Sequence, residues 1–155
     1  MSISADEIKE ILKERHQLPR WICVTELPTT TGYPPAARFR PLEALRVIDV
    51  FAMALWPSLH YERIAYEIKI NRNDWLKELA DPKKRVKAMS LSHRFYFVLA
   101  PNIYKEDSID DNCGILEVRK EHIKVIHRAA RRKIGEMSQD FVASLARRIK
   151  QESSI

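Results

Sequence analysis

The stretch that decides the fold is IAYEIKINRNDW, residues 64–75. Its first half is apolar apart from two charged residues, Glu67 and Lys69, which stand two positions apart. Side chains alternate between the faces of a strand, so both charges point to one face and Ile68 to the other. A charge among apolar residues is costly unless it is paired or bound to a metal ion. The stretch therefore predicts a strand with a functional or structural charge pair.

A second acid interrupts the preceding predicted strand in the same way. Asp49 lies within RVIDVFAMAL, residues 46–55, and the turn WPSLH separates this strand from YERIAYEIKI, residues 61–70. If the two strands form a hairpin, Asp49 and Glu67 lie side by side and repel each other unless a cation binds between them or one is protonated. Such a pair suits Mg²⁺, which takes oxygen ligands from one or two carboxylates together with water and phosphate.

Two neighbouring groups complete the predicted site. A metal ion there would polarise a phosphoryl oxygen and lower the pKa of a bound water. Lys69 would orient the attacking water and offset negative charge in the transition state. The carbonyl of Ile68 stands between the two charged side chains and is a candidate for a further metal ligand. The alternative interpretation is a structural Glu–Lys pair at the edge of a sheet.

The surrounding sequence predicts an α/β fold with a mixed sheet. The predicted elements are a helix at 5–16, strands at 21–27, 46–55 and 61–70, a helix starting at Asp74 with Asn73 as its cap and resuming after Pro82, strands at 94–100 and from Gly114, and a helical tail. Strands on either side of a helix favour a sheet of about five strands flanked by helices, with the 94–100 strand parallel to an earlier one. We expect the middle helix to bury Trp75, Leu76 and Leu79, and its continuation to bury Val86 and Met89.

The tail carries a long apolar stripe at helical spacing. It runs from Ile123 to Ile149 and predicts one long helix, or two helices divided at Gly135 and Ser138. We expect a single domain over 1–155, with a core at about 1–119 and a basic, helical C-terminal extension at 120–155. The length of the stripe also suggests a homodimer formed through this C-terminal helix.

Charge and composition narrow the class of protein. From Arg119 to the end there are ten Lys and Arg against four acidic residues, an excess equal to the net charge of +6 of the whole chain. This favours a polyanionic partner, although a solubilising helix face has the same composition. No apolar run approaches the roughly 18 residues that span a bilayer, and the N-terminus lacks the apolar core of a signal peptide. We therefore expect no membrane partner and a cytoplasmic location. Cys23 and Cys113 form no CxxC motif.

The charged positions match a known family pattern. Asp49, followed eighteen residues later by Glu67-Ile68-Lys69, resembles the PD-(D/E)XK nuclease motif, and the element order looks like the restriction-endonuclease-like core of that superfamily. The stretches TELP, EIKINRNDWLKELADPKK, HRFYFVLAP and GILEV resemble its MmcB-like, DNA-repair-associated branch, over about residues 21–119. The chain departs from the pattern in having Ile48 before the first acid and no Gln just beyond the lysine.

The resemblance implies a function. It implies metal-dependent hydrolysis of phosphodiester bonds in DNA, in repair or processing, with Mg²⁺ or Mn²⁺ as the cofactor. Asp49 and Glu67 would be metal ligands and Lys69 the catalytic lysine. Some members add an acid from an earlier element, for which Glu26 is the candidate and Glu43 a weaker one. The alternative is a catalytically inactive protein with the same fold that binds DNA or serves as an accessory to a repair complex.

Basic residues near the predicted site and in the tail are candidates for phosphate contacts. Such contacts position a nucleic acid without reading its sequence. The candidate set is Arg72, Lys77, Lys83, Lys84, Arg85, Lys87, Arg131, Arg132 and Lys133. For the middle segment, a solvated helix face is an equally good interpretation. For the tail, a surface for a partner helix is the competing one.

Overall fold

Six strands form one mixed sheet in the computed structural model, which describes residues 2–29, 46–109 and 112–153. In chain order, which is also their order in the sheet, the strands are β1 (Trp21–Pro28), β2 (Val47–Ala54), β3 (Arg63–Lys69), β4 (Arg94–Leu99), β5 (Cys113–Arg119) and β6 (His122–His127). Neighbours pair antiparallel from β1 to β3, parallel from β3 to β5, and antiparallel again between β5 and β6. The predicted α/β class and the parallel return of the 94–100 strand are confirmed.

Helices cover both faces of the sheet. Helix α1 (Ala5–Arg15) buries Ile8 and Leu12 against one face, and a capping box between Ser4 and Glu7 begins it. The other face carries α2 (Arg72–Ala80), α3 (Val86–Ser90) and α4 (Gln139–Ser153). The described part of the chain thus forms three layers, with a hydrophobic cluster on each side of the sheet.

The middle helix begins two residues earlier than predicted. Asn71, not Asn73, is the cap, and its side-chain oxygen accepts a hydrogen bond from the backbone nitrogen of Asp74 at 2.8 Å. The face toward the sheet includes Trp75 and Glu78, whereas Leu76 is 43% exposed. The prediction that Leu76 is buried was therefore wrong. The helix turns Glu78 toward the sheet, and the apolar pattern of the sequence does not reveal a buried acid.

The continuation after α2 also differs from the prediction. Pro82–Arg85 forms a single turn of 3₁₀ helix before α3. Arg85 is buried and Val86 is 61% exposed, so the prediction that Val86 points inward was wrong. Met89 is partly buried against the core, as expected.

The tail combines a strand and a helix. The predicted helix is absent at His122–His127, which pairs with β5 as an unpredicted sixth strand. The run is rich in Ile and Val, and pairing with the sheet satisfies its backbone groups, so tertiary context outweighs the helical spacing. Of the two alternatives for the tail, the one in which Ser138 caps a separate helix is confirmed at this point, because its hydroxyl accepts a hydrogen bond from the backbone nitrogen of Phe141 at 3.1 Å.

Helix α4 is part of the core of its own chain. Phe141 and Leu145 are buried, and the Phe141 ring meets Phe51 edge to face at 5.4 Å. The segment 120–155 thus contributes a strand and a core helix instead of a purely helical extension. Its apolar stripe covers its own sheet, and the homodimer stays a prediction.

Other expectations concern loops and membranes. The four prolines and one glycine of PTTTGYPPAARFRP, residues 28–41, predict a loop. Most of this stretch lies outside the described residues, as does the weaker candidate Glu43. No helix in the described ranges is long and apolar enough to cross a membrane.

Candidate active site

The strand register brings the three predicted acids into one row across β1, β2 and β3. Glu26 stands between the paired residues Thr25 and Leu27 of β1, and Asp49 stands between their partners on β2. The last pair of the β2–β3 ladder is Val50 with Tyr66, and the same register extended by one residue puts Asp49 opposite Glu67. The hairpin that was predicted for these two strands is therefore present.

Glu26 is paired with helix α1, and its charge also raises the pKa of Asp49. Its φ of 50° is unusual for a residue with a side chain. Regular alternation would place Val24 and Leu27 on opposite faces of the sheet, but both pack in the cluster on the face opposite to α1. The alternation of β1 is therefore broken near Glu26. The Glu26 carboxylate instead accepts a hydrogen bond from Lys9 of α1, and that bond raises the pKa of Lys9. Glu26 is thus already paired with a cation.

Asp49 is hydrogen-bonded to β3, the strand that carries Glu67 and Lys69. Its Oδ2 accepts a hydrogen bond from the backbone nitrogen of Ile68 at 2.8 Å, where the β2–β3 ladder has ended. Burial raises the pKa of Asp49, while this hydrogen bond opposes the rise. The N–H and C=O of one strand residue point to the same neighbouring strand, so the Ile68 carbonyl also faces β2.

Glu67 and Lys69 project from the opposite side of β3 to α1, as the alternation predicts. Burial and the negative charge of Asp49 raise the pKa of Glu67 to about 8. The Lys69 ammonium lies 3.6 Å from Glu67 Oε1 and 3.3 Å from Glu78 Oε1. Burial by itself would lower the pKa of Lys69, but the two carboxylates outweigh it and the pKa is raised. Lys69 is therefore a firmly protonated cation.

Glu78 is a site residue that the sequence analysis missed. It lies on α2, is 3% exposed, and is held by Arg85, whose Nη1 is 3.2 Å from both Glu78 Oε2 and the Glu78 carbonyl oxygen. The Arg85 guanidinium in turn lies over the Phe97 ring at 5.2 Å from its centre. One signal was available in the sequence, because Glu78 follows the buried Trp75 by three residues and so shares its helix face.

A basic pocket of about 220 Å³ opens at this site. Its lining residues are Thr29, Arg46, Val47, Glu67, Lys69, Glu78, Lys84, Arg85, Lys87, Ala88 and Phe95. Five of these carry positive charge and two carry negative charge, so the pocket favours an anion such as phosphate. Asp49 and Glu26 are not among the lining residues. Lys87 was predicted to meet phosphate, whereas Arg46 was not predicted.

The predicted phosphate-contacting residues fall into distinct groups. Lys84 and Arg85 line the pocket, and Lys77 and Lys83 are exposed nearby on α2 and the following turn. Arg72 instead forms a bidentate salt bridge with Asp107, with Nη1 2.6 Å from Oδ2 and Nη2 2.8 Å from Oδ1. This salt bridge lowers the pKa of Asp107. Arg72 thus ties α2 to the loop after β4.

The three predicted basic residues of the tail, Arg131 to Lys133, lie near the start of β3. Arg132 donates hydrogen bonds to the carbonyl oxygens of Met89 and Ser92, and its backbone nitrogen bonds to His93. His93 pairs in turn with Arg63 at the start of β3, six residues and roughly 20 Å from Lys69. Arg131 is 3.5 Å from Glu62, and Lys133 is exposed. This group does not line the pocket.

The donor atoms present fit a hard divalent cation. Within 2–29, 46–109 and 112–153, no three side chains of His, Cys, Asp or Glu are grouped to hold a metal ion. Two partly buried carboxylates are nevertheless close enough for the charge of Asp49 to raise the pKa of Glu67, and the backbone of Ile68, which donates to Asp49, adjoins both. Mg²⁺ is often bound through one or two carboxylates and keeps several waters, so Asp49, Glu67 and the Ile68 carbonyl suit it.

Comparison with known proteins gives a fold relative. No protein-family model and no curated protein matches the chain. The solved structure of the SPO1766 protein of unknown function from Silicibacter pomeroyi is similar, with a TM-score of 0.57 and 17% sequence identity. The similarity covers 90% of this chain and 85% of that chain. At this level of identity it supports the fold alone.

Proposed function

We propose that this protein is a metal-dependent nuclease with a restriction-endonuclease-like core, which hydrolyses phosphodiester bonds in DNA during repair or processing. One observation carries this function. Asp49 is bonded to the backbone between Glu67 and Lys69, and the last two side chains line a pocket of net positive charge. The resemblance of these residues to the PD-(D/E)XK motif and to the MmcB-like branch adds support.

Each group would have a distinct role. Asp49, Glu67 and the Ile68 carbonyl would hold Mg²⁺ or Mn²⁺, which supplies Lewis-acid polarisation of the phosphoryl group and a more acidic bound water. Lys69, protonated in this environment, would orient the attacking water and stabilise negative charge on the phosphoryl oxygens. Glu26 would affect the metal site only through its charge, because its own carboxylate is already paired with Lys9.

Phosphates on either side of the cleaved bond would meet the basic pocket. In the described part of the chain, no ion pair holds the side chain of Lys84 or Lys87, whereas Arg85 is committed to Glu78. Lys84 and Lys87 are therefore the better candidates for direct phosphate contacts. The exposed Lys77 and Lys83 would extend the same surface.

A cleavage assay tests this function. Wild type, Asp49→Asn, Glu67→Gln and Lys69→Met are compared on single-stranded, duplex and branched DNA with Mg²⁺ or Mn²⁺. We expect each variant to lower the cleavage rate by at least about 100-fold while DNA binding persists. Glu121→Gln, which changes an exposed acid between β5 and β6, is the matched control. Variants that cleave as fast as wild type would contradict the proposal.

The second candidate function is a non-catalytic DNA-binding module or accessory of a repair complex. A specific observation favours it, because Lys69 is held in ion pairs with Glu67 and Glu78 and Asp49 is bonded to backbone. A purely structural network would look the same. Salt-sensitive DNA binding by wild type, without cleavage of any of these substrates, would favour this alternative.

A further inference from the structure

The Lys69 ammonium lies between two carboxylates that compete for it. Glu67 Oε1 is 3.6 Å from Nζ and Glu78 Oε1 is 3.3 Å from it, so the shorter contact is made to Glu78. The other carboxylate oxygen of Glu78 is 3.2 Å from Arg85 Nη1. The Glu78 side chain is 4% exposed, and Arg85 holds the carboxylate oxygen that Lys69 does not contact.

This competition bears on Glu67, a proposed metal ligand. An ammonium group that paired fully with Glu67 would neutralise its charge and occupy an oxygen that the metal requires. Glu78 attracts the Lys69 ammonium away from Glu67, and the ion pair with Arg85 holds the Glu78 side chain in position. Groups behind the ligands commonly orient a metal site and set its affinity in this way.

We propose that Glu78 is a positioning residue that holds Lys69 away from Glu67 and so keeps the Glu67 carboxylate available to a divalent cation. This inference rests on the proposed function. It assigns Glu78 a role that differs from simply neutralising the buried Arg85. The two roles predict different behaviour when Lys69 is removed.

The test is calorimetric titration with Mn²⁺ alone on wild type, Glu78→Gln, Lys69→Met and the double variant. With Lys69 present, we expect Glu78→Gln to raise the Kd for Mn²⁺ about tenfold. With Lys69 replaced by Met, we expect Glu78→Gln to leave the Kd unchanged, because no ammonium is left to compete. Such non-additivity is the signature of two residues that act through each other. Glu121→Gln is again the control.

Two results would overturn the inference. One is an unchanged Kd in Glu78→Gln, and the other is the same loss of affinity in both backgrounds, which a structural or long-range charge effect would produce. Glu78→Gln leaves Arg85 buried without its partner, so Glu78→Gln/Arg85→Met, compared with Arg85→Met, repeats the test without an unpaired charge.

The outcome also separates this inference from the function on which it rests. Wild type that binds Mn²⁺ while Glu78→Gln binds it equally well overturns the role of Glu78 alone. Folded wild type that binds no Mn²⁺, with or without DNA, overturns both the metal-dependent function and the role of Glu78.

Discussion

At the scale of single residues, the candidate site concentrates charges that the fold has to stabilise. Burial and the negative charge of Asp49 raise the pKa of Glu67 to about 8. Lys69 acts in the opposite direction on the pKa of Glu67 and offsets only part of this rise. Sites that keep like charges close together at a cost in stability are often functional.

The pKa of Glu67 predicts how stability depends on pH in the metal-free protein. Its folded-state pKa, about 8, exceeds its ordinary value of 4.5, so the folded state keeps a proton that the unfolded state loses. The contribution of the protonated Glu67 to the free energy of unfolding is therefore fully present below pH 4.5 and is lost as the pH rises through 8. We expect Glu67→Gln to remove this decline and to raise the free energy of unfolding at pH 8.5 by on the order of 2 kcal/mol. Urea unfolding with a chelator measures it, and an equal decline in both proteins would contradict the assignment.

Two glycines provide a matched comparison of packing. A Cβ at Gly114 would overlap the ring of Tyr96 and lie 2.7 Å from the backbone nitrogen of Ala129, whereas nothing lies within 4 Å of a Cβ at Gly135. We expect Gly114→Ala to destabilise the fold by about 1–3 kcal/mol and Gly135→Ala to have little effect. Thermal unfolding of both variants tests this, and equal melting temperatures would show that β4 and β5 can separate to admit the methyl group.

At the scale of secondary-structure elements, the tail is built into the fold. Strand β6 extends the sheet beside β5, and α4 packs on the face opposite to α1. Thr25 of β1 donates a backbone hydrogen bond to Glu152 near the end of α4 at 3.0 Å. Removing residues 120–155 would therefore expose core residues as well as deleting positive charge, so truncation is not a clean test of DNA binding.

Adjacent residues of α4 test its contribution to the core. Phe141 is 2% exposed and contacts Phe51, while its neighbour Val142 is 45% exposed. We expect Phe141→Ala to lower the free energy of unfolding by about 3–5 kcal/mol, and Val142→Ala to change it by no more than about 0.5 kcal/mol. Chemical denaturation measures both. Similar small effects would mean that α4 is a dispensable appendage.

At the scale of the whole molecule, the positive charge is spread over both ends of the sheet. Arg46, Lys84 and Lys87 lie at the pocket, together with Lys69 and Arg85. The basic tail residues 131–133 lie near the start of β3, at the far end of that strand from the pocket. The basic run at 131–133 therefore does not mark the candidate site.

This distribution predicts which cations a bound DNA meets. We expect Lys84→Gln/Lys87→Gln to weaken DNA binding and to reduce the slope of log affinity against log salt by about 2, because two phosphate contacts are lost. Arg131→Gln/Lys133→Gln removes the same charge at the other end and should change the slope much less. Fluorescence anisotropy over a range of salt concentrations measures both slopes. A larger effect of the second pair would move the DNA surface to the tail.

Some features of the site could be predicted from sequence because they depend on local periodicity. The alternation in β3 put Glu67 and Lys69 on one face, and the acid within β2 indicated that the hairpin would bring Asp49 near them. Glu78 escaped prediction because its helix has exposed apolar residues, so a buried acid did not stand out. The pairing of the Glu26 side chain with α1 was not predicted either, because a single residue with a positive φ in a strand leaves no periodic signal in the sequence.

The amino-acid sequence by itself determined the α/β class, the first helix, five of the six strands and the pairing of β2 with β3. These features follow from side-chain periodicity and chain order, which act over a few residues. Only the tertiary structure decided that His122–His127 is a strand, that Glu78 lies between Lys69 and Arg85, and that the basic residues 131–133 do not line the pocket. The physical reason is that backbone pairing, burial and charge neutralisation depend on partners far away in sequence, which local pattern does not specify.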